Sequence, residues 1–384
     1  MTDAPLTGSG PGTARPLRIA CVYGRGREGP LAGMDWIRFW RMAEALARRG
    51  HEVDAVADWE RPPVPSGPRF RAVPFQRIEW SRYDVIKTLF HSGFESLSET
   101  GGGGHPFIVS KLGSVVGREQ TAGVHFFGPV RERLFRLQLA IAQRSRFVTV
   151  LTDPSRELWR REHGPSPPLL QVPTGVDAVL PPPGPNPYPG VGVRGSVALF
   201  AGNLYGPASQ PEVNELWQER LNRLGRALRR RGVRLVAMGP GGVDWLDARA
   251  VLHVGQVELD TFWDWQRHAH VGVVLAQGRV QDNESSKIYY YLRTALPVVC
   301  ERPVPNSGLI AQTGHGALVD YDDVAALADA ATDLTRRPPP ADGIAEYMVA
   351  QHSWDVRATL YDPVFARARA AAGPPLAPAP AAEE

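Results

Sequence analysis

A proline-rich run over residues 180–194, with PPPGPNPYPG at its centre, splits the chain into two stretches that repeat one pattern. Proline has no N–H and a fixed φ, so such a run supplies neither a helix interior nor a central strand and reads as a stiff linker. On both sides, short apolar runs alternate with segments whose apolar residues recur at helical spacing. Before the linker, strands are expected at 17–23, 52–57, 70–73, 84–90, 107–111, 147–151 and 169–172, and helices at 34–49, 130–144 and 154–163. After it, strands are expected at 197–201, 235–238, 251–254, 271–275 and 297–300. A long helix there places Val213, Leu216, Trp217, Leu221, Leu224 and Leu228 on one face, and a last helix opens at Ser353-Trp354. Alternation of this kind builds parallel sheets with helices on their faces. The expected fold class is therefore α/β, with two doubly wound, Rossmann-like domains facing across a cleft. Such sheets bind ligands at the carboxyl ends of their strands, so two facing ends share one site.

The expected division is a disordered N-terminus (1–16), a first domain (17–180), a linker (181–194), a second domain (195–352), a C-terminal helix returning to the first domain (353–372) and a disordered tail (373–384). At 384 residues the chain is long enough for two ordinary domains. A net charge of +3 excludes a dedicated nucleic-acid binder, which needs a concentrated basic face. The densest basic run, 226–234, sits at a helix end, where cations complement the dipole. Cys21 and Cys300 are the only cysteines, and each lies in an apolar strand run, so a reduced, packed role is expected. The polar N-terminus has no signal-peptide core and no run reaches membrane-span length, so a cytoplasmic location is expected.

Residues 282–301, DNESSKIYYYLRTALPVVCE, carry the chemistry. A polar, acidic loop passes at Ser285-Ser286-Lys287 into a short helix, which leads into the strand at 298. A helix start offers unpaired N–H groups and the positive end of the dipole, and two hydroxyls and a lysine there favour a phosphate. Alone, the pattern also fits a capped surface helix feeding a buried strand. A lysine in the first helical turn opposes the dipole unless an anion is present, which favours the phosphate.

Four segments, in order, resemble the retaining glycosyltransferases of the GT-B fold, especially the family 4 group and its close relatives. They are Val172-Pro173-Thr174-Gly175-Val176-Asp177, Phe200-Ala201-Gly202-Asn203-Leu204, Gly255-Gln256-Val257, and the stretch from Ser285 to Val299. The resemblance implies a GT-B architecture with an acceptor-side first domain and a nucleotide-sugar-binding second domain. It implies donor contacts at Gly24, Arg25, Gly26, Gly202, Asn203, Asp282, Glu284, Ser285, Ser286, Lys287 and Tyr290. The glycines at 24 and 26 also fit an ordinary tight turn. Two acids eight positions apart normally frame the helix. Here Asp282 and Tyr290 stand at those positions, so a neutral phenol replaces the ribose-binding glutamate, and Glu284 is the candidate to compensate. Asn203 stands where an arginine is usual, which leaves Lys287 to neutralise the diphosphate. His91, at the end of the strand expected at 84–90, is the candidate catalytic contact to the donor sugar, with His125 its competitor. The glycines at 101–104 read as a mobile loop over the acceptor side.

The implied activity is transfer of a sugar from a nucleoside-diphosphate sugar to a hydroxyl, with retention. A nucleotide-sugar epimerase or hydrolase of the same fold, or a glycosyltransferase-like binding protein without catalysis, are the alternatives. No metal or other cofactor is expected, and the nucleotide sugar is a co-substrate. The base stays open, whether uracil (as in UDP), guanine or another. So does the acceptor, whether small molecule, glycan or lipid-linked, and with it a weak membrane-surface association. Trp36, Phe39 and Trp40 fit core packing better than an acceptor surface.

Overall fold

The computed structural model describes residues 15–24, 33–59, 64–118, 128–204, 211–279 and 281–371, without the side chains of 128 and 211–216. Two parallel sheets organise them. The first domain runs β1 (Arg18–Tyr23), α1 (Met34–Arg48), β2 (Glu52–Ala57), β3 (Phe70–Pro74), β4 (Val85–Leu89), α2 (Phe90–Glu99), β5 (Ile108–Lys111), α3 (Gly128–Arg144), β6 (Phe147–Val150), α4 (Asp153–His163) and β7 (Leu169–Gln171). Its seven strands lie in the order β3-β2-β1-β4-β5-β6-β7. The second domain runs β8 (Ser196–Ala201), α5 (Pro211–Arg230), β9 (Val233–Met238), β10 (Val251–His253), α6 (Leu259–Arg267), β11 (Val271–Val274), α7 (Ser286–Arg293), β12 (Val298–Glu301), α8 (Gly308–Thr313), β13 (Gly316–Val319) and α9 (Val324–Arg336). Its six strands lie in the order β10-β9-β8-β11-β12-β13. Helices α10 (Ile344–His352), α11 (Trp354–Thr359) and α12 (Asp362–Ala371) follow. All strand pairs in both sheets are parallel.

Helices cover both faces of each sheet, so β4, β5, β6, β11 and β12 are buried at every residue. On α1 the aromatic face is core. Trp36, Phe39 and Trp40 are buried, and Phe39 stacks on Tyr23 at 5.2 Å and on Trp36 at 5.7 Å. Both cysteines are buried free thiols, and burial pushes Cys21 up to about 11.

The proline-rich segment is docked on the second domain rather than free-standing. Tyr188 donates its hydroxyl to the Trp265 carbonyl at 2.7 Å, Gly184 N–H donates to Asp264 at 2.8 Å, and Arg267 donates to the Pro181 carbonyl at 2.6 Å. Carbonyls that take part in no ladder find partners on α6 instead. Beyond α10 the chain returns to the first domain. Val176 N–H donates to the His352 carbonyl at 2.9 Å and Trp354 N–H to the Val176 carbonyl at 3.1 Å. Helices α11 and α12 then pair with α1 and its end through Arg48–Asp355 (2.9 Å) and Arg49–Asp362 (2.6 Å).

Three expectations change. Strand β4 stops at Leu89 because Phe90 takes a left-handed φ of 57°, and the chain turns straight into α2. The glycines at 101–104 precede β5 and therefore lie at the amino edge of the sheet, away from the cleft, as a 3-10 turn (Gly102–Gly104) packed under Trp80. Arg15, assigned to a disordered end, bonds Asp84 at 2.7 Å and receives Arg369 on its carbonyl at 3.1 Å. The rest of the expected disordered ends, 1–14 and 373–384, lies outside the described residues. No helix among the described residues is long and apolar enough to cross a membrane.

Candidate functional site

The carboxyl edge of the second sheet is assembled by close backbone packing. The turn after β8 hydrogen-bonds the turn after β9, Gly202 N–H to the Met238 carbonyl at 2.7 Å and Leu204 N–H to the Pro240 carbonyl at 2.8 Å. Gly239 has a φ of 140°, and a Cβ there would stand 2.1 Å from the Gly202 carbonyl oxygen, so only glycine fits. Against this double turn stands the amino end of α7.

Ser285 is the N-cap of α7, and its backbone is clamped by Asn306, which accepts from Ser285 N–H and donates to its carbonyl, both at 2.9 Å. The Ser285 side chain makes no capping bond, and its buried hydroxyl has no partner. In the first turn Ile288 N–H reaches the Ser285 carbonyl at 3.3 Å, while the N–H groups of Ser286 and Lys287 precede any i−4 acceptor, so the helix end presents donors and positive dipole together. Lys287, in that turn, lays its ammonium over the Phe200 ring at 5.1 Å from the centroid. Among the described residues it has no ion pair or hydrogen bond. Burial lowers its pKa to about 8. A desolvated ammonium and a helix amino end thus stand together at the Gly202 turn, with Ser285 as the N-cap.

Gly202 sets the geometry of that ammonium. A Cβ at 202 would lie 2.8 Å from Lys287 Cε and 2.9 Å from Nζ. The obstructed atoms are the tip of a flexible side chain, so Gly202→Ala is expected to fold normally while displacing the ammonium. Nucleoside diphosphate affinity should drop about tenfold with unfolding free energy changed by less than about 1 kcal/mol. Calorimetric titration beside denaturant unfolding separates the two quantities.

The other expected donor contacts are placed differently. Glu284 does not point to an open ribose site. Its Oε1 accepts from Thr174 N–H at 2.7 Å and from the Thr174 hydroxyl, and its Oε2 accepts from the Tyr289 hydroxyl at 3.1 Å. Tyr290 is 2% exposed, stacked on Trp263 at 5.1 Å and 10°, so it belongs to the core rather than the cleft wall. Burial, with Asp177 nearby, raises its pKa well above the ordinary value and keeps the phenol neutral. Asp282 accepts on its carbonyl from Thr152 and, at 2.8 Å, from Ser155. Asn203 is exposed at the β8 turn and Ser286 opens α7, both beside the convergence. Gly24 is required by packing, since a Cβ would lie 2.3 Å from the Ser92 carbonyl oxygen of α2. Arg25, Gly26 and His125 lie outside the described residues.

His91 is the second residue of α2, not a strand-end loop residue, because of the turn at Phe90. Its ring is buried, with Nε2 at 3.2 Å from Gln138 Oε1 on α3, and burial lowers its pKa to about 4. The imidazole is therefore neutral near pH 7 and engaged between α2 and α3. Sequence reading missed Asn306, Thr174 and Arg38 as parts of this region. Thr174 lay in a quoted motif, but only its fold neighbours reveal its role.

No family model and no curated protein matches the sequence. Solved structures do match over nearly the whole chain. A sucrose-phosphate synthase from Thermosynechococcus elongatus is similar at 14% identity and a TM-score of 0.67, covering 93% of this chain and 100% of that one. Anabaena HepE in complex with UDP-glucose is similar at 12% identity and a TM-score of 0.65, covering 91% and 100%. AviGT4, a glycosyltransferase involved in avilamycin A biosynthesis, is similar at 17% identity and a TM-score of 0.58, covering 92% and 98%. With two parallel-sheet domains meeting at the carboxyl ends of their strands, the chain has the GT-B fold of these glycosyltransferases.

Proposed function

We propose that the protein is a glycosyltransferase that moves a sugar from a nucleoside-diphosphate sugar to an acceptor hydroxyl, with retention. The observation that carries this reading is the amino end of α7, where the Lys287 ammonium stands against the Gly202 turn beside the first-turn N–H groups. The fold supports it, since structural neighbours include HepE with UDP-glucose. Retention rests on the likeness of the segment from Ser285 to Val299 to retaining enzymes.

In this reading the diphosphate sits on the first turn of α7, and Lys287 and the N–H groups take up the charge that develops as the sugar–oxygen bond breaks. The acceptor hydroxyl attacks from the face the diphosphate leaves, and the departing phosphate oxygen takes its proton. Catalysis is then alignment and charge stabilisation rather than covalent chemistry. The reading assigns no step to a metal.

Lys287 gives the reaction a pH signature. Its folded pKa is about 8, below the ordinary 10.5, so the apo protein holds fewer protons there than the unfolded chain between those values. Apo stability should therefore rise with pH across that window. A bound diphosphate favours the ammonium and raises the pKa, so binding has the opposite dependence. Nucleoside diphosphate affinity is expected to be highest below pH 8 and to fall by up to about tenfold per pH unit above it. Titrations across that range check both signs.

The activity itself is tested by incubating the protein with a panel of nucleotide sugars. Slow release of free nucleoside diphosphate is expected for a transferase without its acceptor. An epimerised donor would instead establish an isomerase, and no turnover of any donor would leave a binding protein.

A further inference from the structure

The three residues that lead into α7 are tied to three different parts of the first domain. The Asp282 carbonyl is held at the start of α4 by Thr152 and Ser155. Asn283 Nδ2 donates to Ser114 Oγ, just beyond β5, at 3.1 Å. Glu284 goes deepest, with its side chain 1% exposed.

The surroundings of that carboxylate are organised by bonds that do not involve it. Arg38, on α1, donates to Thr174 Oγ1 from Nε at 3.1 Å and from Nη2 at 2.7 Å, and Nη2 stands 3.7 Å from Glu284 Oε1. Arg357, on α11, donates from Nε to the Thr174 carbonyl at 3.1 Å. With its oxygen occupied by Arg38, the Thr174 hydroxyl turns its proton to Glu284, beside its own N–H. Lys111 donates to the Val172 carbonyl at 2.9 Å, and burial and then Arg38 and Lys87 depress its pKa. The two guanidiniums are the cations that reach Thr174. Gly175 is kept without a side chain by Trp354, whose ring lies 2.6 Å from where its Cβ would be, which locks this corner in place. A carboxylate buried so fully is tolerated only where donors and cations await it.

We propose that Arg38, Thr174 and Arg357 form a carboxylate-binding socket in the first domain, and that Glu284 of the second domain is its built-in ligand. Glu284 is then a positioning residue, seating the amino end of α7 against the first domain when the domains close. Lys287 is three residues further on, so withdrawing Glu284 shifts the ammonium with it. That consequence for transfer rests on the glycosyltransferase reading; the socket itself does not.

The test is chemical rescue on the full chain. Glu284→Ala leaves the socket and the space of the lost carboxylate. In small-angle scattering it is expected to show a larger radius of gyration than wild type, with a lower Tm. Millimolar formate or acetate should restore both, and chloride at the same concentration should not. Adding Thr174→Val should weaken the acetate response about tenfold, the loss of one hydrogen bond. Glu284→Gln, which keeps the shape without the charge, should be expanded yet insensitive to acetate, because its amide fills the space; it carries the test where Glu284→Ala does not fold. Glu284 variants as compact as wild type, or an expanded Glu284→Ala that ignores both carboxylates, would overturn the proposal. Rescue by acetate in a protein that turns over no nucleotide sugar would keep the socket and reject the transferase reading.

Discussion

Replacing Lys287 with alanine is expected to weaken nucleoside diphosphate binding by about 1–3 kcal/mol, the range for one charge-assisted hydrogen bond. The effect should be specific to binding. Among the described residues the ammonium has no ion pair, and it rests partly desolvated on the Phe200 ring. Removing it takes away a charge that the apo protein holds at a cost, since burial lowers its pKa to about 8. Apo stability at neutral pH should therefore stay level or rise while affinity falls. That opposition of signs separates a ligand-binding lysine from a structural one. Calorimetric titration and denaturant unfolding of one variant supply both numbers, and unchanged affinity would remove Lys287 from the site.

The largest stability effect is expected at Arg220. Its Nη2 donates to both Glu301 oxygens at 2.6 and 2.8 Å, and Nη1 donates to the Ala276 carbonyl at 2.7 Å. Glu301 in turn accepts from Ala276 N–H at 2.5 Å and Asp322 N–H at 2.9 Å. The guanidinium is also sandwiched by rings, 4.8 Å from Tyr321 and 5.6 Å from Trp217. One ion pair thus fixes the segments leaving β11 and β13, and the first of these leads to α7. Arg220→Ala leaves Glu301 buried without its counter-charge and should cost about 3–5 kcal/mol. The expected signature is a lower unfolding midpoint in urea with an unchanged slope. A cost below about 1 kcal/mol would mean that the pair does not organise this edge.

Most of the architecture was legible because it depends on local signals. Apolar runs and helical spacing gave all seven strands of the first sheet and five of the six in the second within a few residues, and the proline run lies between the two sheets; edge strand β13 and helices α2, α8, α9 and α10 were not read. What failed was set by partners distant in sequence. Nothing local says that Phe90 takes a left-handed φ, and that one turn moved His91 from a loop into α2. The glycines at 101–104 signal a turn, but which edge of the sheet it occupies follows only from strand direction. The start of α7 at Ser285-Ser286, with Lys287 in its first turn, was readable because a serine N-cap after a polar loop is a local signal. Glu284 and Tyr290 were misplaced for the opposite reason. An acidic loop residue reads as exposed until Thr174, 110 residues earlier, is brought to it. A tyrosine in a ligand motif reads as a contact until Trp263 stacks on it.

Thermal unfolding with a panel of nucleoside diphosphates and monophosphates tests the central claim most directly, that α7 and the Gly202 turn hold the diphosphate of a nucleotide sugar. A ligand that binds only the folded state stabilises it in proportion to the logarithm of its saturation, about 2.7 kcal/mol at a hundredfold excess over Kd. At least one nucleoside diphosphate should raise Tm by several degrees, its monophosphate should do so much less, and the Lys287→Ala protein should lose most of the difference. Equal shifts with mono- and diphosphate, or no shift with any nucleotide, would contradict a diphosphate site at the start of α7.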